Sequence, residues 1–119
     1  MSTFKQEKTL EERKTETEKI RKKHEERYPL IVERSPKTDL PEMEKKKFLV
    51  PGDITVGQFI LTAIRKHLSL TSEKALFIFV NDNVIPQTAA QIKEVYDQYK
   101  DEDGFLYITY AGENTFGAL

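Results

Sequence analysis

The sequence predicts an α+β domain with a four-stranded mixed sheet that a long helix covers on one face. Three observations lead to this prediction. Short segments rich in β-branched and aromatic residues are separated by turn signals. Thr-x-x-Glu and Thr-x-x-Gln patterns mark the starts of helices. The resulting elements follow the order helix, strand, strand, helix, strand, helix, strand, which fits an α+β domain.

Composition limits the chain to one small domain with a single core and excludes several classes of function. The 119 residues are 38% hydrophobic and 33% charged, and the net charge of -1 gives no overall attraction to nucleic acid. The absence of cysteine excludes disulfides, thiolate metal sites and a catalytic thiol, and it favours the cytoplasm. No apolar run approaches the roughly 20 residues of a membrane span, and residues 1–22 lack the hydrophobic block of a secretory signal.

Residues 1–26 form a polar N-terminal extension, which we predict to be helical. Its large apolar side chains are Phe4, Leu10 and Ile20, which are too few to make a core of their own. We therefore expect the extension to dock on the rest of the domain through these side chains.

The helix of this extension is predicted over about 10–24. Thr9 and Glu12 have the spacing of a capping box, and neither Gly nor Pro interrupts the segment that follows. The basic cluster at 21–23 is interpreted as a solvated helix face, with a contact to tubulin, lipid or an acidic peptide as the alternative.

Two strands follow the extension. Residues 28–34 alternate, with Leu30 and Val32 on one face and Ile31 on the other, before a Ser-Pro turn. Residues 48–50 are apolar on both faces and follow three lysines, the charges that edge strands carry to avoid pairing with copies of themselves. Because Pro51 then ends the ladder, we predict an edge strand that can accept the strand of a partner.

The remaining elements are a helix, a strand, a second helix and a last strand. Thr55 and Gln58 form a capping box before a helix predicted to reach Leu68, whose apolar residues follow a 3-4 spacing. A strand over 75–80 ends in an Asn-Asp-Asn turn. A capping box at Thr88 and Gln91 predicts a helix that 101–104 terminates, and 105–110 is the last strand. A ubiquitin-like β-grasp satisfies this order of elements.

Several motifs resemble those of the autophagy-related protein eight family, which includes the GABA-receptor-associated protein and light chain three. The similarity extends over about 4–117, and the tail is among its most specific pieces. The helix after Phe59 and the turn at 81–84 are each one residue longer than the family pattern. The motifs are EKIRKK at 18–23, KKKFLVP at 45–51, TVGQF at 55–59, LFIFVND at 76–82, DGFLY at 103–107 and ENTFG at 113–117.

The resemblance implies two N-terminal helices, a ubiquitin-like domain with its tail at 27–117, and two removable residues, 118–119. It also implies that a cysteine protease trims the chain to Gly117, next to Phe116. Activating and conjugating enzymes would then attach the Gly117 carboxyl to phosphatidylethanolamine. The modifier would move from the cytoplasm to autophagosomal and to vacuole or lysosome membranes, where it would recruit cargo receptors. No other cofactor and no metal is implied.

The resemblance further implies that peptides with an aromatic residue, two variable positions and an aliphatic residue add a strand to the second strand. Lys45, Lys47 and Arg27 would meet the acidic residues that flank these peptides. Judged from the sequence alone, Ile31, Leu49 and Phe105 are plain core residues. The implied aromatic pocket consists of Glu16, Ile20, Pro29, Ile31, Lys47, Leu49 and Phe105, and the aliphatic pocket of Phe48, Val50, Pro51, Ile54 and Phe59.

A further family surface, at 76–79, is implied to bind helical motifs, although we predict that these residues belong to a buried strand. Enzymatic activity is not expected, because His24 and His67 are interpreted as solvated helix residues and no phosphate loop or zinc spacing occurs. The alternative function is an unconjugated ubiquitin-like interaction module in microtubule-linked or receptor trafficking. Processing of the tail separates the two functions.

Overall fold

The computed structural model describes residues 3–71 and 74–112. Two N-terminal helices precede four strands, and the helical and extended segments follow the predicted order. The elements are α1 (Phe4–Glu7), α2 (Leu10–Lys23), β1 (Arg27–Arg34), β2 (Lys47–Pro51), the helical run α3 (Val56–Phe59, Ile60–Arg65 and Lys66–Leu68), β3 (Phe77–Val80), α4 (Ile92–Tyr99) and β4 (Leu106–Ala111).

The four strands form one mixed sheet in the order β2-β1-β4-β3. The central strands β1 and β4 run parallel, and β2 and β3 each pair antiparallel with their neighbour. This arrangement confirms the predicted α+β class and the ubiquitin-like β-grasp. It also confirms that β2 lies at an edge of the sheet.

The two faces of β1 support two separate apolar clusters, as its alternation predicted. Leu30 and Val32 lie in the main core together with buried residues of α3 and α4. Ile31 points to the opposite face, where it packs with Phe4 and Phe105. The sheet is therefore covered on both faces, by the long helical run on one and by the N-terminal helices on the other.

The N-terminal helices dock on the domain, but not through all of the predicted side chains. The capping box of Thr9 and Glu12 is confirmed, and Phe4 and Ile20 pack on the second cluster. Docking through Leu10 is wrong, because this side chain is only half-buried and lies outside that cluster. A separate first turn, capped by Thr3, places Phe4 in the cluster, as predicted.

The helical run α3 begins at the predicted capping box of Thr55 and Gln58 and ends at Leu68. Its middle part, Ile60–Arg65, is π-helical. A π-helical turn accommodates more residues than an α-helical turn.

The predicted start of α4 is wrong. Thr88 does not cap a helix, because the carbonyl groups of Thr88 and Ala90 accept hydrogen bonds from the N–H groups of Gly57 and Val56. The helix begins after Gln91, which forms its own capping box with Glu94.

The third strand is shorter than predicted. It covers Phe77–Val80, whereas the two residues before it are not part of the sheet. The predicted burial of 76–79 holds for Ile78, but Phe77 is 38% exposed. The turn that follows is confirmed, with positive φ at Asn81 and Asp82. Within the described ranges, no helix is long and apolar enough to cross a membrane.

Candidate functional site

The outer edge of β2 presents backbone groups that no other strand of the sheet pairs. β2 is the first strand in the sheet order, and the N–H of Val32 on β1 donates to the carbonyl of Lys46. Because hydrogen-bonded pairs alternate along an antiparallel ladder, the register turns the backbone groups of Phe48 and Val50 towards β1. Those of Lys47 and Leu49 therefore point away from the sheet. The backbone nitrogen of Pro51 also faces away from β1, so the absence of an N–H group at this residue removes no hydrogen bond from the sheet.

The opposite edge of the sheet, formed by β3, has fewer backbone groups available for pairing with another strand. Asn81 N–H donates to Tyr107 on β4, so the alternation directs the backbone groups of Ile78 and Val80 outward. Val80 is already engaged, because its N–H donates to the carbonyl of Val84 at 2.6 Å. β2 is thus the better edge for an additional strand.

On the face of the sheet covered by α2, most of the predicted aromatic pocket is brought together. Ile31 and Phe105 are completely buried, and Phe4 packs edge-on against Phe105 with ring centroids 5.2 Å apart. Glu16 of α2 forms an ion pair with Lys47 of β2. Ile20 packs against the same cluster. Pro29 is buried and pairs with the half-buried Leu49, so these residues share this face.

The aliphatic set lies on the other face, with one exception. Phe48 is 5% exposed and packs edge-on against Phe59, with centroids 5.7 Å apart. Val50 belongs to the same core, and the half-buried Ile54 packs against it. Pro51 alternates onto the opposite face, that of Lys47 and Leu49, so strand geometry does not gather it with the other members.

The three predicted basic residues lie around this edge in different states. Lys47 is paired with Glu16, and the Lys45 ammonium lies 4.8 Å from the centroid of the Phe48 ring. Arg27 donates from Nη1 to the outward carbonyl of Leu49 at 3.2 Å. Positive charge therefore borders the open strand along its length, which favours acidic partners.

A buried polar network fixes α2 next to this edge. Arg13 Nη1 donates to the Asp103 carboxylate at 2.6 Å, and the Tyr107 hydroxyl donates to the same oxygen at 2.6 Å. Burial and the hydrogen bond to Asp103 raise the pKa of Tyr107. Thr17 Oγ1 donates to the Asp103 carbonyl at 2.5 Å. These bonds hold the helix that carries Glu16 and Ile20 against the sheet.

Residues outside the predicted pockets also shape the site. Phe4 covers Phe105. His67 is exposed, as predicted, and its ring also packs edge-on against the Phe48 ring with centroids 5.4 Å apart. Its spacing of eight residues from Phe59 was the available signal, because both rings contact Phe48 from one helical run. For Arg13, a charged residue among charged neighbours, the sequence contained no such signal.

The predicted conjugation residues Phe116 and Gly117 lie outside the described residues. The described chain ends at Gly112, whose N–H donates to Thr38 Oγ1 at 2.9 Å and which packs against Leu40.

The fold and this edge define a ubiquitin-like β-grasp domain whose sheet can accept a further strand. Sequence comparison is specific about the family. The model described as "Autophagy protein Atg8 ubiquitin like" matches residues 12–117. Autophagy-related protein 8 of Mycosarcoma maydis is 55% identical over 118 residues, covering 99% of this chain and 98% of that protein. Autophagy-related protein 8 of Dictyostelium discoideum is 55% identical over 119 residues, covering 99% and 96%.

Solved structures agree with the sequence comparison. The crystal structure of Trypanosoma brucei ATG8 matches with a TM-score of 0.86 at 45% identity, covering 95% of this chain and 96% of that one. Plasmodium falciparum Atg8, solved in complex with a Plasmodium falciparum Atg3 peptide, matches with a TM-score of 0.84 at 38% identity, covering 94% and 99%. The chain belongs to the Atg8 family of ubiquitin-like autophagy proteins, and it is a ubiquitin-like modifier of autophagy.

Proposed function

We propose that this modifier is attached to phosphatidylethanolamine through the carboxyl group of Gly117 and then recruits cargo receptors through the open edge of β2. The observation that carries the recruitment is this edge, bordered by apolar side chains on both faces and by basic residues. Family membership supports the conjugation. The modifier is cytoplasmic before conjugation and lies on autophagosomal and vacuole or lysosome membranes afterwards.

Peptide binding follows from the way in which an extended segment pairs with an edge strand. The outward backbone groups of Lys47 and Leu49 form hydrogen bonds with the peptide backbone, which give affinity without depending on its sequence. Alternate peptide side chains then point to the two faces of the sheet. One face offers Leu49, which lies on the same side of the sheet as Ile31, and the other offers the region of Phe48 and Ile54. An aromatic and an aliphatic side chain, separated by two residues, occupy these two places.

An aromatic side chain of the peptide can bind on the face of Leu49 and Ile31 only after residues on that face rearrange. Ile31 and Phe105 have no exposed surface, and Phe4 and Ile20 pack against them. The Lys47–Glu16 ion pair links β2 to α2 on the same face of the sheet. We infer that a peptide separates Lys47 from Glu16 and packs its ring on the surface that this separation exposes. A peptide carboxylate next to this ring then replaces Glu16 as the ion-pair partner of Lys47.

The same edge is proposed to receive the conjugation machinery. Plasmodium falciparum Atg8 was solved with an Atg3 peptide, and we propose that a peptide of an Atg3-type conjugating enzyme binds this chain as well. The chain acts as substrate and adaptor and not as an enzyme, so the lipid is attached by partner proteins. Glycine suits the conjugated position because a residue without a Cβ passes a narrow enzyme cleft most easily.

The test of conjugation uses the full chain, a cell extract with the matching protease, purified lipidation enzymes and liposomes that contain phosphatidylethanolamine. Intact-mass spectrometry is expected to show removal of Ala118 and Leu119, followed by the mass of one lipid. Gly117→Ala is expected to impair both steps strongly and to leave the affinity for groove peptides unchanged. If the Ala-Leu end persists and a chain ending at Gly117 is not lipidated, the unconjugated interaction module is the better function.

A further inference from the structure

The loop that follows β1, residues 35–43, closes over the end of β4. The N–H of Ser35 donates to the carbonyl of Tyr110 at 2.9 Å, and the Tyr110 hydroxyl donates to the carbonyl of Pro41 at 2.7 Å. The N–H of Met43 in turn donates to the same hydroxyl at 3.2 Å. Both ends of the loop are therefore bonded to one buried tyrosine of β4.

Thr38, in the middle of this loop, holds the first residue after β4. Its side chain is buried, and its Oγ1 accepts a hydrogen bond from the N–H of Gly112 at 2.9 Å. Gly112 is buried as well and follows Ala111, the last residue of β4 that pairs with β3. The Thr38 hydroxyl thus continues the bonding of β4 by one residue, and its removal would take this acceptor from a buried N–H group.

Leu40 of the same loop packs directly on this glycine. A Cβ at Gly112 would lie 3.1 Å from Leu40 Cγ, so the two residues are in close contact. Leu40 is itself part of the main core. Gly112 is therefore held by one hydrogen bond and one apolar contact, and both come from the 35–43 loop.

The position of Gly112 limits the reach of the carboxyl group that is proposed to be conjugated. Gly117 follows by five residues, and an extended chain of this length covers at most about 18 Å. If Gly112 were released, the last fixed residue would be Ala111, and the reach would rise to about 22 Å. The tail would then be more dilute at an enzyme bound to the domain, and one more residue would have to be ordered there.

We propose that Thr38 is a positioning residue for the enzymes that act on Gly117. This proposal rests on the proposed attachment through Gly117. The Thr38 hydroxyl fixes Gly112 as the point from which the tail extends, and it acts through this glycine without touching the reacting atoms. An enzyme that handles Gly117 must bring its active site within about 18 Å of Gly112, and thus binds the domain near the 35–43 loop.

The experiment measures release of the last two residues from the full chain by the matching cysteine protease, followed by intact-mass spectrometry at several substrate concentrations. Thr38→Val keeps the shape of the side chain and removes the acceptor. It is expected to lower kcat/KM about 3–10-fold, because a further residue must be ordered on the enzyme. The loss is expected in KM and not in kcat, since the residues that enter the active site are unchanged. Thr38→Ser retains the hydroxyl and is expected to be cleaved like the unmodified protein.

Thr109→Val is the matched control on β4. It removes a threonine hydroxyl whose hydrogen bond goes to Asp82, and it is expected to leave kcat/KM unchanged. Hydrogen exchange of the Gly112 amide, followed by NMR, tests the same contact without an enzyme. Exchange is expected to be faster in Thr38→Val and unchanged in Thr38→Ser and Thr109→Val.

Unchanged exchange of the Gly112 amide in Thr38→Val would overturn the proposal, because the hydroxyl would not hold this residue. Faster exchange with normal cleavage would overturn it too, since the tail would not need a fixed starting point. Equal losses of kcat/KM in Thr38→Val and Thr109→Val would reduce the effect to a general loss of stability. If the unmodified protein is not cleaved after Gly117, the proposed attachment itself fails and Thr38 is only a structural contact.

Discussion

Asp103 illustrates at the scale of single residues how this chain holds its N-terminal helices. Its side chain has no exposed surface and accepts hydrogen bonds from Arg13, from Tyr107 and, at 2.8 Å, from the N–H of Phe105. A buried carboxylate is tolerated only when such partners replace its hydration. Removing one partner would leave an uncompensated buried charge, so the position of α2 is tightly determined. The net contribution of the network to stability is smaller, because burying the charges costs free energy.

Asp101, at the exposed rim of this network, provides a test of its electrostatics. Burial alone would raise the pKa of Asp101, but hydrogen bonds from Lys5 and from the Asp103 N–H hold it below its usual value. We expect Lys5→Met to raise the pKa of Asp101, as measured by NMR titration of the carboxyl carbon. Lys14→Met, which removes an exposed lysine of α2, is the control and is expected to leave the pKa unchanged.

The lowered pKa sets the sign of the dependence on pH. A carboxyl group whose pKa is lower in the folded state stabilises the fold above its unfolded pKa, about 3.9, and this contribution is lost as the pH falls through the folded pKa. The stability difference between the unmodified protein and Lys5→Met should therefore be present at neutral pH and shrink below pH 4. A difference that grew on acidification would contradict the role of Lys5.

At the scale of elements, the π-helical middle of α3 explains how the long helix keeps its apolar face. Phe59 and Ile64 are five residues apart and are both almost completely buried. In an α-helix this spacing turns two side chains well away from each other, whereas the wider π-helical turn brings them to one face. Leu61 is turned outward instead and is 63% exposed. The π-helical turn therefore keeps Phe59 and Ile64 together in the core.

The turn between α4 and β4 depends on a glycine that α2 approaches closely. Gly104 has a φ of +91°, and a Cβ at this position would lie 2.5 Å from Thr17 Oγ1. We expect Gly104→Ala to lower the free energy of unfolding by roughly 2–3 kcal/mol, from backbone strain and from displacement of α2. Urea denaturation followed by circular dichroism measures this loss.

Gly57→Ala is the matched control for the glycine prediction. A Cβ at Gly57 meets the Thr88 carbonyl oxygen at 3.4 Å, an ordinary contact, and the residue lies in the first turn of α3. Alanine is the better helix former, so the substitution is expected to be neutral or to stabilise the fold by up to about 1 kcal/mol. Equal losses in both variants would argue against the close approach of α2 to Gly104.

At the scale of the whole molecule, the sheet edge combines a core residue and a binding residue in neighbouring positions. Phe48 and Leu49 are both predicted peptide-binding residues, but the structure places them in different surroundings. Phe48 is 5% exposed and packs against Phe59, whereas Leu49 is half-buried on the other face. The two side chains therefore separate stability from recognition.

This separation is testable with two alanine variants. Phe48→Ala is expected to lower the free energy of unfolding by about 3–5 kcal/mol, because it leaves a cavity between β2 and α3. Leu49→Ala is expected to cost about 1–3 kcal/mol in peptide affinity, as the loss of an anchor does, with a much smaller effect on unfolding. Calorimetry and urea denaturation measure both quantities, and unchanged affinity in Leu49→Ala would remove Leu49 from the groove.

The sequence by itself determined those features that depend on a few neighbouring residues. The alternation of Leu30, Ile31 and Val32 fixed the two faces of β1, and the capping boxes at Thr9 and Thr55 fixed two helix starts. These signals are strong because periodicity and local hydrogen bonds are encoded within one or two turns of chain.

Only the tertiary structure decided which of these residues meet. The failed capping box at Thr88 has the correct spacing, but its backbone pairs with the start of α3. Phe4 covers Phe105, Arg13 reaches Asp103, and Arg27 caps Leu49 across two strands. Each contact joins residues far apart in the chain, and its existence depends on strand order, register and the packing of a whole face. Such contacts win over local preference because burial and hydrogen bonding of complete elements involve more free energy than one cap or one turn.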